Sequence, residues 1–164
     1  MRKYCLFVIL LTSVSFSSVF AQSGSFEIHI IDNASMYNNR MEYHITCDSL
    51  LITGLSDYGR TPVRYHQRKL TKKECRNVKK FLHTFPIDSL DDLYNNEFNP
   101  ADYSDKGYYP RLMEITVNNG SKSHYYRTVN CWVRHSDNII QVINPLIPSE
   151  VRIKYNKADF NAFY

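Results

Sequence analysis

Met41-Glu42-Tyr43-His44-Ile45-Thr46-Cys47-Asp48-Ser49-Leu50-Leu51-Ile52-Thr53 is the stretch on which the fold turns. Its odd positions from Met41 to Cys47 are apolar and its even positions polar, the period of a strand with one buried face. Asp48-Ser49 makes a turn into Leu50-Leu51-Ile52-Thr53, and Gly54 ends the run, so the segment reads as a β-hairpin. Upstream, Phe26, Ile28 and Ile30 alternate with Glu27 and His29 as a second half-buried strand. Downstream, a turn at residues 56–59 leads to a strand near residues 63–70.

Thr71-Lys72-Lys73-Glu74 then forms a capping box, in which the threonine oxygen takes an orphan backbone N–H and the glutamate reaches back. The helix it opens is expected to run to Thr84, with Cys75, Val78, Phe81, Leu82 and Phe85 on one face, and Pro86 ends it. Ser89 is read as the cap of a short second helix presenting Leu90 and Leu93. Residues 95–110 lack periodicity and read as a long loop. Residues 112–117 alternate again, Asn119-Gly120 signals a hairpin, and residues 122–129 return. Ser136 or Asp137 is the expected cap of a helix carrying Ile139, Ile140, Val142 and Ile143. Pro145 and Pro148 close it, and Val151, Ile153 and Tyr155 suggest a final edge strand. The order predicts an α+β fold: an antiparallel sheet of about five to seven strands with two main helices packed on one face.

The N-terminus carries a different signal. Arg2 and Lys3 precede the apolar run Cys5-Leu6-Phe7-Val8-Ile9-Leu10-Leu11, and Val19-Phe20-Ala21 offers a small residue for cleavage before Gln22. A retained membrane anchor is the rival reading, but Thr12, Ser13, Ser15, Ser17 and Ser18 dilute the second half, and a spanning helix needs about 20 predominantly apolar residues. The expected organisation is a signal peptide over residues 1–21 and a single α+β domain over residues 22–164, exported to the periplasm or cell exterior and not membrane-spanning after cleavage.

Export sets the reading of the cysteines. Without Cys5, the remainder are Cys47, Cys75 and Cys131, an odd number in an oxidising compartment. Cys47 and Cys75 both fall on apolar faces and form the favoured pair for a disulfide. Three buried free thiols are the weightier alternative, since a chain of this length holds together without staples.

The formal charge is +4 over 164 residues, from 20 Lys and Arg against 16 Asp and Glu. Removing Arg2 and Lys3 leaves 18 against 16, too small an excess to argue for nucleic acid. The small total hides a segregation. Residues 60–80 hold nine bases (Arg60, Arg64, Arg68, Lys69, Lys72, Lys73, Arg76, Lys79, Lys80) against Glu74 alone. Residues 81–105 hold six acids (Asp88, Asp91, Asp92, Glu97, Asp102, Asp105) and no Lys or Arg. On the first helix Lys72, Lys73, Arg76, Lys79 and Lys80 lie opposite the apolar stripe. They form either a docking face for an acidic partner or an ordinary solvated face whose lysines neutralise nearby acids. The loop with Asp102, Tyr103, Asp105 and Tyr108 is a second candidate contact region, because Tyr is favoured at interfaces.

Catalytic and metal chemistry is weakly represented. Asp102-Tyr103-Ser104-Asp105-Lys106-Gly107 puts a lysine where a calcium loop needs a ligand. Gly54-Leu55-Ser56-Asp57-Tyr58-Gly59 has its second glycine one residue too far for a nucleophile elbow. Cys131 with His135 is the remaining candidate for a nucleophile and base, set against a packing role for a cysteine beside Trp132 with no acyl-transfer signature around it, and the two offer two ligands where a metal needs three or four. His29 and His44 take the polar parity of their strands and read as solvent-facing. No catalytic residue, metal or cofactor is assigned.

The hairpin over residues 43–52 is joined by Lys69-Leu70-Thr71 with Glu74 opening a helix, by Phe85-Pro86-Ile87-Asp88-Ser89-Leu90, and by Ile143-Asn144-Pro145-Leu146-Ile147-Pro148. Together with the signal segment, these resemble small exported bacterial proteins of an uncharacterised α+β domain type. The resemblance covers most of residues 41–155, consists of scaffold residues, and implies fold and export only. The leading expectation is a non-enzymatic exported binding protein of inhibitor or immunity type, with a protein partner. The alternatives are a small cysteine-dependent hydrolase and a small-ligand or glycan-binding envelope protein.

Overall fold

Phe26, Ile28, Ile30 and Asp32 are buried while the residues between them are half-buried, so the first strand, β1 (Glu27–Ala34), turns one parity to the interior. The computed structural model describes residues 25–34, 39–56, 61–96, 111–160 and 162–164. The signal segment, the acidic aromatic loop and Arg60 lie outside them. β2 (Asn39–Thr46) and β3 (Leu50–Ser56) form the expected hairpin, with Tyr43 opposite Ile52 and Ile45 opposite Leu50. β4 (Thr61–Arg68) pairs with β3, with a register shift at Ile52/Thr53.

α1 (Lys72–Thr84) begins at its capping box and ends before Pro86, as its sequence predicts. It is followed by a single 3-10 turn (Ile87–Ser89) and by β5 (Leu93–Asn95). Ser89 therefore closes a turn rather than capping a helix. Leu90 is buried as expected, but Leu93 is exposed on β5. β6 (Leu112–Asn118) and β7 (Ser123–Val129) pair across the Asn119-Gly120 turn. There Asn119 Oδ1 accepts from the N–H groups of Ser121 and Lys122, and Gly120 takes φ +90, which favours glycine.

The seven strands form one sheet in the order β4-β3-β2-β1-β6-β7-β5. From β4 across to β7 every pairing is antiparallel, but β5 pairs with β7 in parallel, so the sheet is mixed. The reason is the route of the chain. β4 and β5 lie at opposite edges, six inter-strand steps or roughly 29 Å apart. The connection between them contains α1, 13 residues and about 20 Å long, packed on one face of the sheet, and the stretch from Phe85 to Asp92. A strand that arrives by such a crossover is free of the tight turn that forces antiparallel pairing.

α2 (Arg134–Ile143) buries Ile139, Ile140 and Ile143 in the same core as Val78 and Leu82 of α1, so both helices cover one sheet face. Its start differs from expectation. The N-cap is Val133, Ser136 is buried inside the helix with its Oγ 3.1 Å from the Tyr126 hydroxyl, and the Arg134 N–H donates to the Tyr164 carbonyl. The final strand expected over Val151, Ile153 and Tyr155 is not formed either. Ile153 and Tyr155 are buried and alternate with exposed residues, but the Ile153 backbone exchanges two hydrogen bonds with the Asn144 side chain instead of a neighbouring strand. Cys47 and Cys75 form a disulfide with Cα atoms 5.0 Å apart, which overturns the reading of three free thiols. The bridge is compatible with an oxidising compartment. Among the described residues, no helix is long and apolar enough to cross a membrane.

Candidate partner-binding face

The first turn of α1 is tied down on three sides. Glu74 Oε2 accepts the Thr71 N–H at 2.7 Å, and the Thr71 hydroxyl accepts the Glu74 N–H at 3.2 Å. The same carboxylate takes both terminal nitrogens of Arg68, at 2.9 and 2.8 Å, and Arg68 also donates to the Leu146 carbonyl. These bonds hold the Glu74 carboxyl at about 2, with the Arg68 guanidinium the largest cause and the Thr71 N–H next. One residue on, Cys75 is bonded to Cys47 just past the end of β2. The helix is thus fixed to β2, β4 and the turn after α2 before any of its outer residues is considered.

Val78 and Leu82 face the core, and the opposite face carries the cations. Lys72, Lys73, Arg76 and Lys80 are exposed and Lys79 is half-buried. None of the five is ion-paired with a described residue. The structure therefore brings together the five basic residues singled out in the sequence and leaves their charge uncompensated among the described residues. Beside them a shallow groove is lined by the disulfide, Leu70, Asp48, Lys72, Arg76 and Lys79. Its apolar floor and predominantly cationic rim suit an acidic side chain on an apolar stem. Lys69 is exposed at the start of the same surface, and Arg64 is occupied by Gln67 at 2.7 Å.

The other half of the predicted surface is less complete. Asp102, Tyr103, Asp105 and Tyr108, with Glu97, lie outside the described residues. Of the remaining acids, Asp88 pairs with Lys122, Asp92 lies 3.4 Å from His124, and Asp91 is exposed.

Cys131 has none of the surroundings that make a thiolate. It is fully buried, its Sγ donates to the Tyr94 carbonyl at 3.4 Å, and burial pushes its thiol up from the ordinary value. His135 meets Phe85 edge-on, with ring centroids 5.9 Å apart. His29 and His44 project from the sheet face opposite α1 and α2, half-buried, with His44 Nε2 2.7 Å from Glu27 Oε1. No group of three or more metal-ligating side chains occurs among the described residues.

Sequence reasoning misses a second feature, a cleft at the far end of the sheet built around Asp32 and Arg111. One signal points to it: Asp32 continues the buried parity of Phe26, Ile28 and Ile30, where an acid needs a partner. Compared with known proteins, the chain matches no family model and no curated sequence.

Proposed function

We propose that this is a non-enzymatic exported binding protein, of inhibitor or immunity type, which docks an acidic protein partner against the outer face of α1. The observation that carries the reading is the set of five cations on one rigidly anchored helix, none of them ion-paired among the described residues. A surface of one sign raises the encounter rate with a partner of the other sign and fixes its register. Preorganisation adds to this, because an anchored helix loses little conformational freedom on binding. The cysteine-hydrolase alternative draws no support from a buried thiol whose hydrogen bond goes to a backbone carbonyl.

The test is a pull-down of envelope proteins at low salt with residues 22–164, run beside a Lys72→Glu, Lys73→Glu, Arg76→Glu, Lys80→Glu variant of the same melting temperature. A partner retained by the native chain and lost by the variant supports the reading. Retention by both, or by neither, contradicts it.

A further inference from the structure

Two hollows lie end to end along one flank of α1 and share Lys79. The first, about 400 Å³, has the Cys47–Cys75 bridge and Leu70 as its floor and Lys72, Arg76 and Lys79 along the helix. The second, about 190 Å³, continues past Lys79 to His83 over the buried Phe26 and Leu82, with Ser25, Asn119 and Ser121 contributed from outside the helix. Lys72, Arg76, Lys79 and His83 recur at intervals of four, three and four residues, which keeps their side chains on one line of the helix surface. Lys73 and Lys80 stand on a neighbouring line and border neither hollow. Asp48, exposed beside the bridge, is the one acid that borders either.

The dimensions of this groove select the form of its occupant. From Lys72 to Lys79 the helix axis advances about 10 Å, which gives the larger hollow a cross-section of about 40 Å². A helix with its side chains is about 10–12 Å across and needs about twice that. An extended chain is thinner, and five of its residues reach about 17 Å, the length of α1 from Lys72 to His83. Its side chains alternate between two sides, with about 6.7 Å between neighbours on each. Apolar side chains of one parity then meet the bridge, Leu70, Phe26 and Leu82, while acids of the other parity lie beside Lys72, Arg76 and Lys79. These cations follow one another at about 6 and 4.5 Å along the axis, and the long Lys and Arg side chains take up the difference. A sulfated or phosphorylated polymer would match the cations and leave the apolar floor without a counterpart.

Resting on the reading of α1 as the docking face, we infer that the partner's contacting element is an extended segment in which acidic and apolar residues alternate, laid along this groove.

The test is an NMR titration of residues 22–164 in about 150 mM salt, where charges beyond the groove are screened, with the methyl resonances of Leu70 and Leu82 reporting the floor. The probes are a heptapeptide alternating glutamate and valine, a heptapeptide of the same composition with its glutamates in one block, a helical peptide with glutamates at matching helical spacing, and dextran sulfate. The alternating peptide is expected to bind at millimolar concentration or below and to shift both leucines, with the block and helical peptides at least 5-fold weaker. Arg76→Gln with Lys79→Gln is expected to weaken it at least 5-fold at unchanged melting temperature. Lys73→Gln with Lys80→Gln, which removes the same charge away from the groove, is expected to weaken it at most 2-fold. The inference is overturned if the alternating peptide does not bind, if the block peptide, the helical peptide or dextran sulfate shifts the two leucines at equal or lower concentration, or if the two double variants weaken it equally. A partner captured through α1 without any binding of the alternating peptide would overturn the extended form alone, whereas peptide binding without a captured partner would uphold the groove and count against the docking partner.

Discussion

Asp32 stands where the alternation of β1 asks for an apolar residue, and it is buried there because Arg111 meets it with two hydrogen bonds. Removing one member of such a pair leaves the other charge without its counterion in a poorly solvated site, which costs more than the pair contributes. Asp32→Ala is therefore expected to lower stability by about 3 kcal/mol in urea unfolding, and Asp32→Asn by less, since its oxygen still accepts. The parity of Asp32 is legible in the sequence. Its partner is not, because Arg111 lies 79 residues away and precedes β6 in a stretch without periodicity. Glu74 illustrates the opposite case, a local motif whose full role is half visible. The capping box is readable from four residues, but the two bonds from Arg68 depend on β4 returning beside the helix. With a folded value of about 2, below its ordinary 4.5, the Glu74 carboxylate adds stability that is complete above the ordinary value and is lost as pH falls through the folded one. Thermal melts between pH 2 and 7 should show Glu74→Gln losing most relative stability at neutral pH and converging on the native chain at the acid end. The difference is modest, because solvent screens the pair.

Elements whose partners are close in sequence are legible in it, and those whose partners arrive from afar are not. The β2–β3 and β6–β7 hairpins and the whole of α1 rest on alternation, turn residues and a cap that lie within a few positions of one another. The parallel pairing of β5 depends on where the α1 crossover delivers the chain, a property of the assembled sheet. Residues 151–155 carry the period of a strand without its ladder, because Asn144 supplies the hydrogen bonds a neighbouring strand would. The start of α2 is likewise set by distant backbone: the carbonyl of Tyr164 takes its first N–H, a role no residue near Arg134 could announce. The disulfide joins two of these elements across a separation of 28 residues, enclosing β3 and β4. A closed loop of that size should contribute about 3–4 kcal/mol on the chain-entropy account. Chemical denaturation of a Cys47→Ser, Cys75→Ser variant should therefore give a midpoint lowered accordingly, and reduction of the native chain should reproduce the shift. An unchanged midpoint would mean that the capping box, the Arg68 bonds and the core face hold the helix without help from the bridge.

For the molecule as a whole, the segregation of charge along the chain becomes a property of one surface only because α1 is immobilised with its apolar face down. The sign of each segment is plain from the order of residues. That Lys72, Lys73, Arg76 and Lys80 share an exposed face and have no ion-pair partner among the described residues requires the structure. The acids of residues 81–105 that are described lie elsewhere, on Lys122 and His124 or in solvent, and do not neutralise the helix. Exposed charges more than about 10 Å apart are screened at 0.1 M salt, so a surface of this kind acts mainly on the rate of encounter. The most direct measurement is the association rate of the captured partner with the native chain and with the four-residue charge-reversed variant, at about 50 and 500 mM salt. The native rate is predicted to fall about 10-fold or more over that range, with the variant slow at both concentrations. Equal rates for the two proteins, or a native rate indifferent to salt, would contradict the assignment of α1 as the docking face.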